Sequence, residues 1–573
     1  MSGLTPIVVK DVEGAQWDDV ADLVVVGLGA AGIAAAIEAR ERGTDVLLLD
    51  RFEGGGATSI SGGVFYAGGG THIQKEAGVE DTVENMYRYL SMEVQDAVSE
   101  DTLRDFCETS AGNVKWLTDR GVPFLPNLCP VKTSYPTNEY HLYYSGNEPF
   151  PPYSDHAKPV PRGHRPDGGA FPGASIIEPL RQTAIEHGVR IELQARVSRL
   201  IIDESGAVVG AEYQTIRSGF WRGAHRRLHN LETTIAKIAP RLAGWLRQRC
   251  NSIEDKHSSP RRVRCRRGLM LCAGGFVFNR EMVAEHVPEF VPGLPLGTAG
   301  DDGVGIRLGQ SVGGRLDQMH RASAWRFLYP PNAFAQGVLV NGNGTRFANE
   351  FWYGAKIGEA MVEENHGIAT LIIDEELKKL AREQSRPGEL QWFQRAAALM
   401  NLYLNCKKAE DVDALAKMLD VPREALQKTF DENDAVAKGI RSDRFHKAPD
   451  SVHPMREGPY YAIDCSLGSK RHLCAVMTLG GLAVDEKTGQ VLSENGGVVP
   501  GLYAAGRNAV GICSRQYVSG LSIADCVYSG LRAARHIDDS AGAVERDKLP
   551  AEGLPDDSAG AVERDNLPTK LQV

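Results

Sequence analysis

Residues 21–63 read ADLVVVGLGAAGIAAAIEARERGTDVLLLDRFEGGGATSISGG. An apolar run from Asp22 to Val26 has the character of a buried strand. Gly27, Gly29 and Gly32 follow at the spacing G-x-G-x-x-G. An alanine-rich helical pattern then runs to Gly43, and a second apolar run, Val46 to Leu49, ends on Asp50. Strand, glycines, helix and acidic residue in this register predict a βαβ dinucleotide-binding unit. Gly27 permits the tight turn, Gly29 lets the backbone approach a pyrophosphate, and Gly32 lets helix and strand pack closely. The helix start offers unpaired N–H groups to phosphate, and Asp50 is placed to accept ribose hydroxyls. Gly54, Gly55 and Gly56 lead directly into Ala57, Thr58, Ser59, Ser61, Gly62 and Gly63. A second glycine and hydroxyl loop at that point suits FAD, which reaches farther across a sheet than NAD.

The chain has 573 residues, room for two to four domains at ~150 residues each. Hydrophobic and charged fractions of 42% and 24% are ordinary for a globular protein. No stretch approaches the ~20 apolar residues of a spanning helix. The first twenty residues lack the basic and apolar regions of a signal peptide. Ten cysteines without CxxC spacing point to unpaired thiols in a reducing cytoplasm. No His/Cys cluster has metal-ligand spacing, so no metal is expected. A net charge of −10 argues against nucleic-acid binding. The charge is uneven: residues 217–267 carry fourteen Arg or Lys against three acids, a net +11.

Beyond the first unit, Pro179 to His187 reads as the start and body of a helix. Val189 to Val197 and Gly206 to Tyr213 alternate like a hairpin pair. GLMLCAGGF at 268–276 reads as a buried strand ending in glycines, the place where a doubly wound sheet holds its ligand. Residues 335–350 read as a β-hairpin with a turn at Asn341–Gly344. Helical patterns dominate 355–440, sheet returns over 477–506, and Ser522 to Ala534 reads as a last helix. DDSAGAVERDKLP at 538–550 recurs as DDSAGAVERDNLP at 556–568. This polar repeat predicts disorder over 538–573.

The segments 22–63, 268–276, GDDG (300–303), GVLVNGNGTRFANE (337–350), TLGGL (478–482) and GLYAAGR through SGLSIADC (501–526) resemble the flavoprotein superfamily of fumarate reductases and succinate dehydrogenases. Within it, ISGGVFYAGGGTHIQKEAG (60–78), NEFWYG (349–354) and RQYVSGLS (515–522) are most similar to 3-ketosteroid dehydrogenases, in particular the Δ4 enzymes. The resemblance implies an α/β architecture, a Rossmann-like FAD-binding domain with an inserted α+β cap. The expected boundaries are 1–320 and 463–537 for the FAD domain and 321–462 for the cap. It implies contacts to the adenosine and pyrophosphate from Gly27, Gly29, Ala30, Ala31, Gly32, Asp50 and Arg51. Gly56, Ala57, Thr58, Ser61 and Gly62 are expected to line the flavin, and Val197 to meet the adenine. Ala273, Gly274, Asp302, Gly506 and Arg507 complete the cradle, with Ser522 and Ile523 at a helix start beside the pyrimidine ring. The loop SGGVFYAGG has no histidine, so the FAD is expected to be non-covalent.

The reaction that the resemblance implies needs a donor on the C3 carbonyl, a base for the adjacent proton, and a hydride acceptor. Tyr517 is the expected carbonyl donor, helped by backbone N–H groups near Gly520 and Leu521. Ser519 faces the proton, and Tyr353 relays it, since a phenol with pKa ~10 ionises far more readily than an alcohol. Tyr66, His320, Arg326, Tyr329 and Trp352 are further candidates for the pocket wall. The expected product has a C4–C5 double bond, with Δ1-dehydrogenation and a fumarate-reductase-like ene reduction as alternatives. Against fumarate, the catalytic arginine is expected near Gly354, within the aromatic stretch Phe351-Trp352-Tyr353-Gly354. A flavin-binding protein without activity is the alternative from another class. The substrate partner is thus a small-molecule steroid. Ring-fusion stereochemistry, electron acceptor and oligomeric state are not readable.

One feature departs from the family. The strands near Tyr213 and Leu269 are expected to be joined by a short turn, yet some fifty residues intervene. Leu231, Ile235, Ile238, Leu242 and Trp245 form one apolar stripe among arginines and lysines, with Pro240 inside it. A basic amphipathic helix of this kind can lie on an anionic membrane surface or pack on its own domain.

Overall fold

The computed structural model describes residues 4–236, 239–455 and 457–547. Its centre is a nine-stranded sheet. The strands are β1 (Ile7–Val8), β2 (Asp19–Val26), β3 (Val46–Asp50), β4 (Arg190–Leu193), β5 (Ala195–Ile202), β6 (Val208–Ile216), β7 (Ser258–Leu271), β8 (Gln490–Leu492) and β9 (Val498–Ala504). The order is β1-β5-β6-β7-β2-β3-β4, with β9 also on β7 and β8 on β9. The β7-β2-β3-β4 half is parallel, and β5-β6-β7 is antiparallel.

The first unit follows from its residue types. β3 (VLLLD) is buried throughout, as a central parallel strand must be. Helix α1 (Ala30–Glu41) is buried on every side from Ala30 to Ala39, because it lies between the sheet and the last helix, α5 (Leu521–Asp547). Small residues make that sandwich possible. A Cβ on Gly32 would sit 1.9 Å from the Gly27 carbonyl oxygen, and one on Gly530 would sit 2.4 Å from that of Ala31. Glu38, the one acid in the buried stretch, is held by Arg42 and Arg535.

Residues 321–462 hold a four-stranded antiparallel sheet built from Val338–Val340, Thr370–Asp374, Tyr460–Asp464 and Cys406–Ala409. Its last strand in sequence straddles the expected boundary at 462/463. Helix α4 (Gly354–Glu363) follows the NEFWYG segment.

Several expectations are revised. The helix expected from Pro179 begins at Ala174, with Pro179 in its second turn. Val189–Val197 is split: β4 joins β3, and β5 alone pairs with β6. The turn at Asn341–Gly344 is present, with Gly344 N–H on the Asn341 carbonyl at 3.1 Å. Its outgoing arm is reduced to a single antiparallel bridge, Arg346 to Val340, and Val338–Val340 takes Thr370–Asp374 as its strand partner. Helix α5 runs to Asp547, ten residues into the stretch expected to be disordered. Asp538, at the start of that stretch, pairs with Arg42 and Arg267. Residues 548–573 lie outside the described residues.

The basic segment is not one helix. It is a hairpin of α2 (Gly219–Ile235) and α3 (Pro240–His257). Pro240 opens α3, where its missing N–H costs nothing. The expected stripe is therefore divided. Leu231, Leu242 and Trp245 are exposed, and Ile238 lies outside the described residues.

Candidate active site

A cavity of about 790 Å³ runs from the ends of β2 and β3 to the cap. At one end lie Gly27, Gly29, Ala30, Ala31, Asp50, Arg51 and Val197. Gly27 adopts φ +107°, and a Cβ there would meet the Cys272 carbonyl at 2.5 Å. A Cβ on Gly29 would meet no described atom within 4 Å, so a ligand can reach the backbone itself. The Asp50 carboxylate accepts from the N–H of Leu28 at 2.8 Å and of Phe52 at 2.8 Å. Burial pushes its pKa up, and these N–H groups oppose that shift.

The middle of the cavity is lined by Gly56, Ala57, Thr58, Ser61, Gly62, Ala273, Gly274, Gly506, Arg507, Ser522 and Ile523. The Ser61 hydroxyl donates to the Thr58 carbonyl (2.7 Å) and accepts from the Gly63 N–H (3.0 Å), which fixes the loop. Ser522 and Ile523 lie in the first turn of α5, whose N–H groups have no partner within the helix. The positive end of that helix favours anionic charge.

Two expected cradle residues are not on the wall. Gly32 packs against Gly27, as its blocked Cβ position shows. Asp302 turns away and pairs with Arg51 at 2.8 Å. Its neighbour Asp301 lines the cavity and orients Arg507 at 2.6 Å. Adjacent aspartates in GDDG gave no sign of which faces inward. Arg51 also reaches the wall, but its guanidinium is engaged by Glu254, Asn251 and Asp302.

The other end is apolar and aromatic. Trp325, Phe327, Leu328, Tyr329, Phe334, Phe393, Ala397, Ala398 and Met477 line it. Tyr353, Tyr517 and Ser519 line the same cavity. The Tyr353 and Tyr517 ring centroids are 6.3 Å apart. Trp325 stacks on Tyr517 at 4.2 Å, and Phe327 meets Tyr353 edge-on at 5.4 Å. Tyr353 is 2% exposed. Burial pushes its pKa well above the ordinary tyrosine value, while a hydrogen bond with Ser519 opposes the shift. Tyr517 is likewise raised by burial, with the Gly520 N–H acting to lower it. The Leu521 N–H is not available to a carbonyl, since it donates to the Val518 oxygen at 3.0 Å.

Of the further candidates, only Tyr329 is on the wall. Tyr66 is buried, with its hydroxyl 3.4 Å from Glu148. Arg326 is buried and holds the His472 and Ser466 carbonyls. His320 is exposed, and Trp352 packs edge-on against Phe445. Sequence reasoning missed Tyr143, a buried residue whose phenolic oxygen is 3.3 Å from the Ser519 hydroxyl. It stands in a tyrosine-rich stretch, EYHLYY, without a motif to mark it.

Known proteins identify the ligand of this cavity. The family model described as an FAD binding domain matches residues 22–520. A 3-oxo-5-alpha-steroid 4-dehydrogenase of Comamonas testosteroni is 40% identical over 508 residues, 87% of this chain and 94% of that protein. The crystal structure of 3-ketosteroid-delta4-(5alpha)-dehydrogenase from Rhodococcus jostii RHA1 in complex with 4-androstene-3,17-dione superposes with a TM-score of 0.78. It is 31% identical, over 93% of this chain and 99% of that one. A fumarate reductase (cytochrome) of Shewanella frigidimarina is 24% identical over 89% of this chain and 76% of its own length. The open glycine surface, the N-terminal end of α5 and the Asp50 carboxylate fit FAD, which is the cofactor. The chain belongs to the FAD-binding flavoproteins, in the family of the 3-ketosteroid 4-dehydrogenases.

Proposed function

We propose that the chain dehydrogenates a saturated 3-ketosteroid between C4 and C5, using non-covalent FAD. The observation that carries this reading is the meeting of Tyr353, Tyr517 and Ser519 at the apolar, aromatic end of the FAD cavity. A flat ring system gains its binding energy there from burial, at about 25 cal/mol per Å² of apolar surface. FAD, when bound, supplies the acceptor for the hydride that leaves the carbon β to the carbonyl.

The chain's own residues act on the ketone side. The Tyr517 hydroxyl, kept protonated by its raised pKa, donates to the C3 carbonyl oxygen and acidifies the neighbouring C–H. As Ser519 takes that proton, its own hydroxyl proton passes to Tyr353, whose phenolic proton passes to solvent in the cavity. Dispersal over hydroxyls suits a site where burial disfavours a charge on any one of them.

The dicarboxylate alternative lacks its clamp. A Cβ on Gly354 would already lie 2.5 Å from the Phe327 ring, which leaves no room for an arginine. Among the described residues, the lysine and arginine side chains on the cavity wall are Arg51, Arg196 and Arg507. Arg51 and Arg196 hold Glu254, and Arg507 holds Asp301. Δ4 is favoured over Δ1 because the relatives at 40% and 31% identity are named for it.

The test is anaerobic mixing with 5α- and 5β-saturated 3-ketosteroids, following flavin absorbance and identifying the product double bond. Tyr517→Phe and Ser519→Ala should each slow flavin reduction by about 10²–10³ while FAD stays bound. Wild-type rates in either variant remove that residue from the mechanism. A flavin bleached by no steroid favours the inactive binding protein.

Among the described residues, no helix is long and apolar enough to cross a membrane. The outer face of the α2–α3 hairpin exposes Leu242 and Trp245 beside Arg241 and Arg249. We propose that it touches an anionic bilayer, the source of a lipophilic substrate. Equal flotation with anionic vesicles for wild type and a 220–260 deletion would end that idea.

A further inference from the structure

The α2–α3 hairpin also has an inner face, and that face borders the cavity. His229, Asn230, Thr233 and Thr234, two adjacent pairs one helical turn apart on α2, line it together with Asp50, Phe52 and Val197. These are the residues of the adenosine end. The His229 ring stacks on Phe52, with centroids 3.8 Å apart and planes 5° apart. Thr233 Oγ1 is buried and has no hydrogen-bond partner among the described residues. A buried hydroxyl without a partner is costly unless a ligand satisfies it.

The hairpin is clamped to the residue that follows Asp50. Arg51 Nε and Nη2 donate to the two oxygens of Glu254 on α3, each at 2.9 Å, and Nη2 donates to Asn251 at 2.9 Å. Glu254 also meets Arg196 at 3.1 Å and His225 at 3.1 Å. Burial pushes the Glu254 carboxyl up, but Arg51, the hydrogen bond to His225 and Arg196 hold it down to about 2, so it remains ionised. Burial, with His225 and Arg51 nearby, pulls His229 down to about 4. It therefore faces the cavity as a neutral ring that can hydrogen-bond or stack.

The segment is an insertion in the strict sense. Ile216 at the end of β6 pairs directly with Ser258 at the start of β7, so a tight turn would join the two strands. Forty-one residues stand there instead, and they fold back over the cofactor site.

We infer that the α2–α3 hairpin is an adenosine clasp. His229, Asn230 and Thr233 bind the adenosine half of FAD, and the Arg51–Glu254 clamp holds them there. The inference rests on FAD as the cofactor and is independent of the steroid reaction. It makes retention of the cofactor depend on a segment far from the chemistry.

The experiment compares FAD release from wild-type holoenzyme, from the triple variant His229→Ala/Asn230→Ala/Thr233→Ala, and from a chain whose residues 217–257 are replaced by a two-residue turn. Each holoenzyme is diluted, and free-flavin fluorescence is followed. Release from both variants is expected to be at least tenfold faster than wild type. The triple variant, held at saturating FAD, should unfold near the wild-type temperature, which separates lost cofactor contact from a weakened fold. A triple variant that releases FAD within twofold of the wild-type rate overturns the inference. If that variant does not accumulate, the deletion decides by the same criterion.

Discussion

The Ser519 hydroxyl lies 3.3 Å from the phenolic oxygen of Tyr143. Tyr143 is fully buried, and burial pushes its pKa well above the ordinary value while Ser519 opposes the shift. It is therefore a protonated phenol held against the residue proposed as the base. Tyr143→Phe keeps the ring and removes the hydroxyl. Flavin reduction by steroid should slow by on the order of 10², the low end for a positioned proton-transfer group, with FAD content unchanged. Stopped-flow absorbance checks this, and a wild-type rate would make Tyr143 a packing residue only.

Gly520 joins the Tyr517–Ser519 segment to α5 at φ +90°. A Cβ there would meet the Tyr66 backbone nitrogen at 2.7 Å, which is backbone and cannot swing away. Gly520→Ala should cost about 1–3 kcal/mol from the strained φ. It should also displace the start of α5 from the flavin side of the cavity. Thermal unfolding and the FAD-to-protein ratio of the purified variant should both fall.

Glu93 is 2% exposed. Its carboxylate accepts from Tyr89 at 2.9 Å and Asn147 at 3.1 Å, and Asn147 in turn accepts the Tyr353 N–H at 2.7 Å. Burial pushes Glu93 up to about 7 against the pull of Asn147. The folded state thus holds this proton more tightly than the unfolded chain, where the pKa is about 4.3. The stability it lends is fully present below that value and is lost as pH rises to about 7. Glu93→Gln should be more stable than wild type at pH 8, by up to about 4 kcal/mol, with the gap closing toward pH 4. Denaturant unfolding across that range measures it, and a pH-independent difference would refute it.

The segment that presents Tyr353 is pinned from behind. Glu350, buried, is bound by Arg346 at 2.8 Å and by Lys447 at 2.9 Å, and its Oε1 accepts the Leu339 N–H at 2.9 Å. Arg346 also pairs with Asp443. Lys447→Met should cost about 3 kcal/mol, the low end for breaking a buried pair, because Arg346 remains. Adding Glu350→Gln should recover part of the loss. Paired melting curves of the single and double variants decide.

The first βαβ unit was legible because its constraints are local. Gly27, Gly29 and Gly32 stand within six residues and Gly32 packs on Gly27 itself, although the carbonyl that Gly27 clears belongs to the distant Cys272. The aromatic end was legible only as motifs: NEFWYG marks Tyr353, but nothing local marks Tyr143, which reaches Ser519 across a separation of 376 residues. The Asn341–Gly344 turn was readable from its residues. Its outgoing arm was not, since Val338–Val340 chose a partner strand thirty residues away. The basic insertion misled for a physical reason. Its apolar spacing runs across Pro240, where two helices meet, so residues that share a phase in sequence do not share a helix.

The cofactor cradle draws on both ends of the polypeptide. β9 pairs with β7 at Leu502–Ala504, Arg507 is held by Asp301, and Ser522 and Ile523 line the cavity. A ribosome must therefore translate past residue 523 before the nucleotide fold that opens the chain can be completed. Loading of the flavin belongs to the last moments of synthesis or after it, and a nascent chain stalled before α5 would emerge colourless.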